Sequence, residues 1–261
     1  MMTMQNQLLK STVEIIPIAA FKDNYIWLLR YGSSAVVVDP GDANPVIETL
    51  NKLSLNLTGI LITHHHDDHI GGVKNLLKYQ PTPVYAPKHE SYDFPHIAVD
   101  EQDEIVLPEI HQKFIVLSLP GHTLGHVAYV NERLLFCGDT LFGAGCGRLF
   151  EGTPAQMLHS LQRLATLPPS TAVYCTHEYT EHNIRFALTL EPDNKTLIKR
   201  QVDAHNIRAQ GLPTLPSSIG LELETNPFLR CNQPTIWANS HAQSRDDLSV
   251  FSKIREMRNH Y

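Results

Sequence analysis

The chain has 261 residues, 42% hydrophobic and 18% charged, which suits one large domain with a full core, or one domain plus a small appendage. A net charge of −6 excludes the global basic footprint that supplies nonspecific nucleic-acid affinity, so an anionic ligand must be met by a local cationic cluster. No apolar run approaches the ~20 residues that span a bilayer, the opening "MMTMQNQLLKSTVE" carries no secretory or organelle pattern, and four cysteines without paired spacing fit a reducing cytoplasm.

In chain order, short β-branched and aliphatic runs bounded by Gly, Pro, Asn or Asp predict strands at "VEIIPIA", "YIWLLRY", "AVVVDP", "LTGILIT", "PVYAP", "KFIVLSLP", "VAYV", "LLFCGDT" and "TAVYCTH". Between them "NPVIETLNKLS", "HIGGVKNLLKY" and "TPAQMLHSLQRLATL" have helical periodicity, the last with Thr153 as N-cap and Pro154 at the first helical position. This alternation predicts an α/β unit over residues 1–176. From about residue 180 the segments "EHNIRFALTLEP", "NKTLIKRQVDAHNIRAQG" and "SVFSKIREMRNHY" are helical around a proline-rich "LPTLPSSIG", so residues 177–261 are expected to form a helical unit.

Four strand runs end in a residue suited to binding metal: "GILIT" in His64, "FIVLSLPG" in His122, "LLFCG" in Asp139 and "AVYCT" in His177. Strands bury their bodies and present their carboxyl ends to a crevice, so these four side chains are expected to converge. In the extended stretch "THHHDDH", side chains two apart share a side, which pairs His64 with His66 and excludes His65. Past His66 the chain turns into a helix near His69, aiming Asp68 and His69 elsewhere and suggesting a second metal. His64, His66 and His122 would hold one ion and Asp68, His69 and His177 the other, with Asp139 bridging. Imidazole suits zinc and iron, and the carboxylates leave manganese open. His65 and Asp67 are left in support, Asp67 as the residue expected to orient a ligand imidazole, with His126 either behind a ligand or packed. "DNYIW" is read as strand and turn without a catalytic role, Cys137 and Cys175 as core, and the other histidines as surface.

The string "THHHDDH" resembles the T-H-x-H-x-D-H motif of the metallo-β-lactamase superfamily, and "GHT", "GDT" and "THEYT" follow in that superfamily's order. Over residues 21–261 the chain resembles the glyoxalase II (hydroxyacylglutathione hydrolase) family, through "FKDNYIWLL", "VVVDPGDANPV", "THHHDDHIGG", "PGHTLGHVAY", "FCGDTLFGAGCGRLFEGTP", "THEYT", "NPFLR" and "KIREMRNHY". The resemblance implies an αββα sandwich with two divalent metals at one edge, zinc first and iron or manganese as alternatives, held by the same seven residues. It implies a helical C-terminal domain that helps bind glutathione, with contacts at Arg148, Tyr179, Arg255 and Arg258. Phe150 departs from a frequent tyrosine and Arg258 from a frequent lysine.

The implied activity is hydrolysis of S-D-lactoylglutathione to glutathione and D-lactate, the second step of methylglyoxal detoxification. A water held between two cations would lose its proton and attack the thioester carbonyl, with Asp68 orienting it and Asp139 bridging. The expected partner is a small glutathione thioester, with no nucleic acid or membrane, and the expected state is a monomer in the cytoplasm. Two alternatives are a glutathione persulfide dioxygenase with one iron and a metal-binding protein without catalysis. The complete second ligand set and the basic tail oppose the first; nitrogen and oxygen ligands that leave room for water oppose the second.

Overall fold

The computed structural model describes residues 13–261. Two six-stranded sheets face one another. The first runs in chain order through β1 (Glu14–Ala20), β2 (Asn24–Tyr31), β3 (Ser34–Val38), β4 (Asn56–Leu61), β5 (Val84–Pro87) and β6 (Ile97–Val99), antiparallel up to β3 and parallel beyond it. The second comprises β7 (Glu104–Leu107), β8 (Gln112–Ser118), β9 (Val127–Val130), β10 (Leu134–Gly138), β13 (Ala172–Cys175) and β14 (Ser217–Ser218), in the order β14-β13-β10-β9-β8-β7. A small hairpin, β11 (Leu141–Phe142) with β12 (Gly145–Cys146), follows β10.

Strand alternation sorts the side chains into layers. On β2, Trp27 and Leu29 join Val36, Leu61, Phe114, Tyr129 and Phe136 in the core between the sheets. Their neighbours Ile26 and Leu28 face the other way, packing with Val46, Leu50 and Leu76 of α1 (Ala43–Leu53) and α3 (Val73–Tyr79). The second sheet is covered by α4 (Pro154–Ala165) through Met157, Leu161 and Leu164. The layers are therefore α, β, β, α. Thr153 caps α4 as expected: its hydroxyl accepts from the Gln156 N–H at 3.2 Å, and the Gln156 side chain accepts from the Thr153 N–H at 2.9 Å.

The helix expected over "HIGGVKNLLKY" is two helices, α2 (Asp67–Ile70) and α3, divided at Gly71 and Gly72. The division is steric in purpose: a Cβ at Gly72 would lie 2.5 Å from both Pro40 O and Ala43 N, so only glycine lets this turn pass beneath the end of β3. The helix also begins at Asp67, two residues earlier than expected, which fixes Asp68 and His69 in its single turn.

The C-terminal region contains α5 (Thr180–Leu190), α6 (Lys195–Ala209), α7 (Ile219–Thr225), α8 (Pro234–Ser240) and α9 (Asp247–Asn259). It is not purely helical, because β14 pairs antiparallel with β13 and extends the second sheet. Phe228, Phe251 and Ile254 share the core of that sheet, whereas α5 and α6 meet in a separate cluster around Ile184, Ala187, Leu197 and Ala204. Among the described residues no helix is long and apolar enough to cross a membrane.

Candidate metal centre

The loops leaving β4, β8, β10 and β13 open at one edge of the sandwich and carry the seven expected ligands to a common point. Their donor atoms form three overlapping groups, His64 with His66 and His122, His64 with His69 and Asp139, and Asp68 with His69 and His177. His64 Nε2 lies 3.0 Å from His66 Nδ1, which lies 3.1 Å from His122 Nε2. Asp139 sits between the halves, one oxygen 3.4 Å from His69 Nε2 and the other 3.4 Å from both His122 Nε2 and His177 Nε2. Asp68 Oδ2 is 3.4 Å from His177 Nε2 and 3.7 Å from His69 Nε2. Gly138 precedes Asp139 with φ +47°, and a Cβ there would strike Thr63 Oγ1 and His126 Nε2. Glycine is what lets this loop turn against the β4 exit.

Partners outside the cluster hold several of the candidate ligands in place. Asp23 Oδ1 accepts from His177 Nδ1 at 2.9 Å, and the Arg148 carbonyl accepts from His122 Nδ1 at 2.7 Å. Asn24 donates to Asp68 Oδ2 at 2.9 Å. Asp39, held in the left-handed region at φ +52°, accepts from the Thr63 N–H and hydroxyl at 2.8 Å each, and its Oδ2 lies 3.0 Å from His69 Nδ1, off the line of a hydrogen bond. His126 is fully buried, stacks on His64 and accepts from the Asp139 N–H at 3.1 Å. Orienting carboxylates of this kind set the tautomer and basicity of metal-binding imidazoles.

Three placements differ from those expected. Asp67 is exposed at the start of α2 and orients no imidazole; Asp23 does so for His177 by a hydrogen bond, and Asp39 lies within ion-pair distance of His69. "DNYIW" does carry site residues, Asp23 and Asn24, placed by the turn between β1 and β2. His65 points away from the ligands toward Glu90 and Glu151, as alternation requires. Cys137 and Cys175 are core thiols whose ionisation burial pushes up. Of the remaining histidines, His182 is half-buried against Arg185 and Tyr261, and His89, His96, His111, His159, His205, His241 and His260 lie at the surface.

The donor set fits divalent cations. His69 Nε2 and Asp139 Oδ1 are buried without a hydrogen bond, in a centre where imidazole and carboxylate lone pairs face one another. Burial drives the His64 imidazole well below its ordinary range, toward the neutral ligand form. Burial also opposes charge on His69 and His177, but Asp139 with Asp39 raises the first to about 10, and Asp139 with Asp68 raises the second to about 12. Burial raises Asp139 and Asp68 too, yet the facing imidazoles hold both carboxyls below the usual carboxylate range. The buried Asp139 carboxylate, the half-buried Asp68 carboxylate and a fan of imidazoles that can shed their protons suit a divalent metal.

Comparison with known proteins agrees with this chemistry. Residues 21–177 match the model of the metallo-beta-lactamase superfamily, and residues 178–261 match that of the hydroxyacylglutathione hydrolase C-terminus. A hydroxyacylglutathione hydrolase of Methylobacillus flagellatus is 58% identical over 248 residues, covering 95% of this chain and 99% of its own. The chain belongs to the hydroxyacylglutathione hydrolase family. Another relative of that name, from Photobacterium profundum, is 49% identical over 96% of this chain and 99% of its own. Among solved structures, the BLEG-1 B3 metallo-beta-lactamase superposes with TM-score 0.61 at 25% identity, covering 84% of this chain and 99% of its own. The di-iron-bound form of TTHA1623 gives TM-score 0.61 at 26% identity, with 82% and 100% covered.

The residues expected to contact glutathione in this family member are placed unequally. Tyr179 stacks flat on His177, with ring centroids 4.7 Å apart. Arg148 extends its side chain into solvent while its carbonyl holds His122. Arg258 is half-buried and donates to Asn183 Oδ1 at 3.1 and 3.2 Å; burial lowers its pKa, as do the nearby Arg255 and Arg148 cations. Arg255, by contrast, is 6% exposed and donates to the carbonyls of Cys146 at 2.7 Å and Gly147 at 3.3 Å. It braces the segment that carries Arg148, while Arg258, one turn further along α9, reaches Asn183 of α5. Phe150 is exposed, its ring edge-on to His66 and His122.

Proposed function

We propose that this protein is a hydroxyacylglutathione hydrolase, cleaving S-D-lactoylglutathione and related S-(2-hydroxyacyl)glutathiones to glutathione and the 2-hydroxy acid, the second step of methylglyoxal detoxification. One observation carries the proposal: the seven-donor cluster opens beside Tyr179, Arg148 and Arg258, so a thioester carbonyl and a peptide carboxylate can be held at once. Two divalent ions, zinc first, would be held by His64, His66 and His122 and by Asp68, His69 and His177, with Asp139 shared. The overlap of the three donor groups supports this pairing, as does the di-iron form of the TTHA1623 structure. When bound, such a pair lowers the pKa of water toward neutrality and polarises a carbonyl.

The chain's own residues supply the rest. Asp68, with its side chain 40% exposed, would orient the attacking water, and its contacts with Asn24 and His177 support that role. Tyr179 offers a ring and a hydroxyl beside His177 to the glutathione backbone, while the Arg148 and Arg258 guanidiniums attract its carboxylates. The departing glutathione thiol has a parent pKa of ~8.5, so the thiolate leaves with little protonation and no general acid is required. No side-chain nucleophile is needed either, in accord with the buried state of every cysteine. Residues 177–261 would act as the glutathione-binding unit of a cytoplasmic monomer.

The test is steady-state hydrolysis of S-D-lactoylglutathione by metal-replete protein, beside a β-lactam and an oxygen-uptake assay with glutathione persulfide. Thioester turnover is expected. Its absence with either of the other activities present would overturn the assignment.

A further inference from the structure

Glu90 lies on the connection between β5 and β6, its backbone outside and its side chain turned in until only 3% of it is exposed. A buried carboxylate needs partners, and those it has are unusual in where they sit along the chain. Its Oε2 lies 3.2 Å from His65 Nδ1 and accepts from the Tyr92 hydroxyl at 3.0 Å, while its Oε1 accepts from the Thr123 hydroxyl. His65 is the residue between His64 and His66, and Thr123 follows His122. One carboxylate thus ties together the two loops that carry all three histidines of one donor group. Gly125 completes the arrangement, since a Cβ there would lie 2.4 Å from the Glu90 Cγ and close off its path. A second carboxylate, Glu151, closes the far side, 3.5 Å from His65 Nε2 and accepting from the Leu124 N–H at 2.8 Å.

We propose that Glu90 is a positioning residue for the three-histidine metal position, setting the separation of the His64–His66 and His122 loops without touching metal or substrate. The other position draws Asp68, His69 and His177 from α2 and the β13 exit, whose supports are Asn24, Asp39 and Asp23. Loss of the Glu90 link therefore acts on one position and spares its neighbour. His65, idle as a ligand, has a use in this arrangement: it is the handle by which the histidine pair is held. The inference rests on the ligand pairing proposed above, and the experiment separates the two.

Apo-protein of wild type, Glu90→Ala and Glu90→Gln is reloaded with limiting or saturating zinc and crystallised, and the occupancy of each position is read from zinc anomalous scattering. Chelator competition gives the matching affinities in solution. Glu90→Ala is expected to weaken the His64, His66 and His122 position by about tenfold, the low end for outer partners of metal ligands, with the other position within about twofold. Glu90→Gln, which keeps an acceptor for Thr123, should recover part of the loss. Equal weakening of both positions, or of neither, overturns the proposal. Should Glu90→Ala not fold, Thr123→Val removes the same link at nearly constant shape and must show the same one-sided loss. Wild-type protein that takes no zinc at the three histidines would refute the ligand pairing instead.

Discussion

Asp23 offers the sharpest test of how the metal centre is held. Its Oδ1 accepts from His177 Nδ1 at 2.9 Å, leaving His177 Nε2 to face Asp139 and Asp68 as the proposed metal-binding atom. A hydrogen bond to a charged group contributes about 1.5–3 kcal/mol and a neutral one about 1 kcal/mol. Asp23→Asn can keep the acceptor and lose only the charge, a cost of about 1 kcal/mol, or roughly fivefold in metal affinity. Asp23→Ala loses the acceptor altogether. The Asp23 side chain is 30% exposed, so water replaces part of the bond, and the loss should stand near the lower limit for such partners, about tenfold. Chelator-competition titration of apo-protein with zinc or cobalt measures both. The expected order is wild type, Asp23→Asn, Asp23→Ala. Wild-type affinity in Asp23→Ala, or an Asn variant weaker than the Ala variant, would refute the orienting role.

Three further outcomes follow from the same geometry. Asp139→Asn should lose bound metal together with thioesterase activity, since one buried carboxylate serves both halves of the cluster; metal analysis showing both retained refutes the bridge. With His69 raised to about 10 and His177 to about 12, the metal-free chain carries a proton on both at pH 7, and binding must expel them. Metal affinity should therefore fall as pH falls through neutrality, and calorimetry in buffers of different ionisation enthalpy should detect release of about two protons per chain; release of one or none contradicts the raised pKa values. Phe150→Tyr restores a hydroxyl at the exposed rim beside His66 and His122, and one added hydrogen bond of about 1 kcal/mol should lower KM for the thioester roughly fivefold with little change in kcat. An unchanged KM would show that glutathione does not pass that ring.

Much of the candidate metal centre was legible in the chain because its proposed ligands obey local rules. His64, His122, Asp139 and His177 each follow an apolar run, and the period of two along an extended strand separates His64 and His66 from His65 without any knowledge of the fold. The helices behaved similarly where capping was local, as at Thr153, and failed at Gly71 and Gly72, where the break is imposed by Pro40 and Ala43 across the turn.

The amino-acid sequence by itself determined an α/β alternation, the seven side chains that converge as candidate donors, and the family resemblance from which the αββα layering and glutathione are expected. Tertiary structure alone decided what stands behind them: Asp23 on His177 from 154 residues away, Asp39 on Thr63 and His69, Glu90 on His65 and Thr123, and Arg255 turned inward to backbone carbonyls. Periodicity and capping report on neighbours along the chain. A buried carboxylate or guanidinium takes its role from whichever polar group the fold brings within 3 Å or so, and that distance is fixed only when the two sheets close.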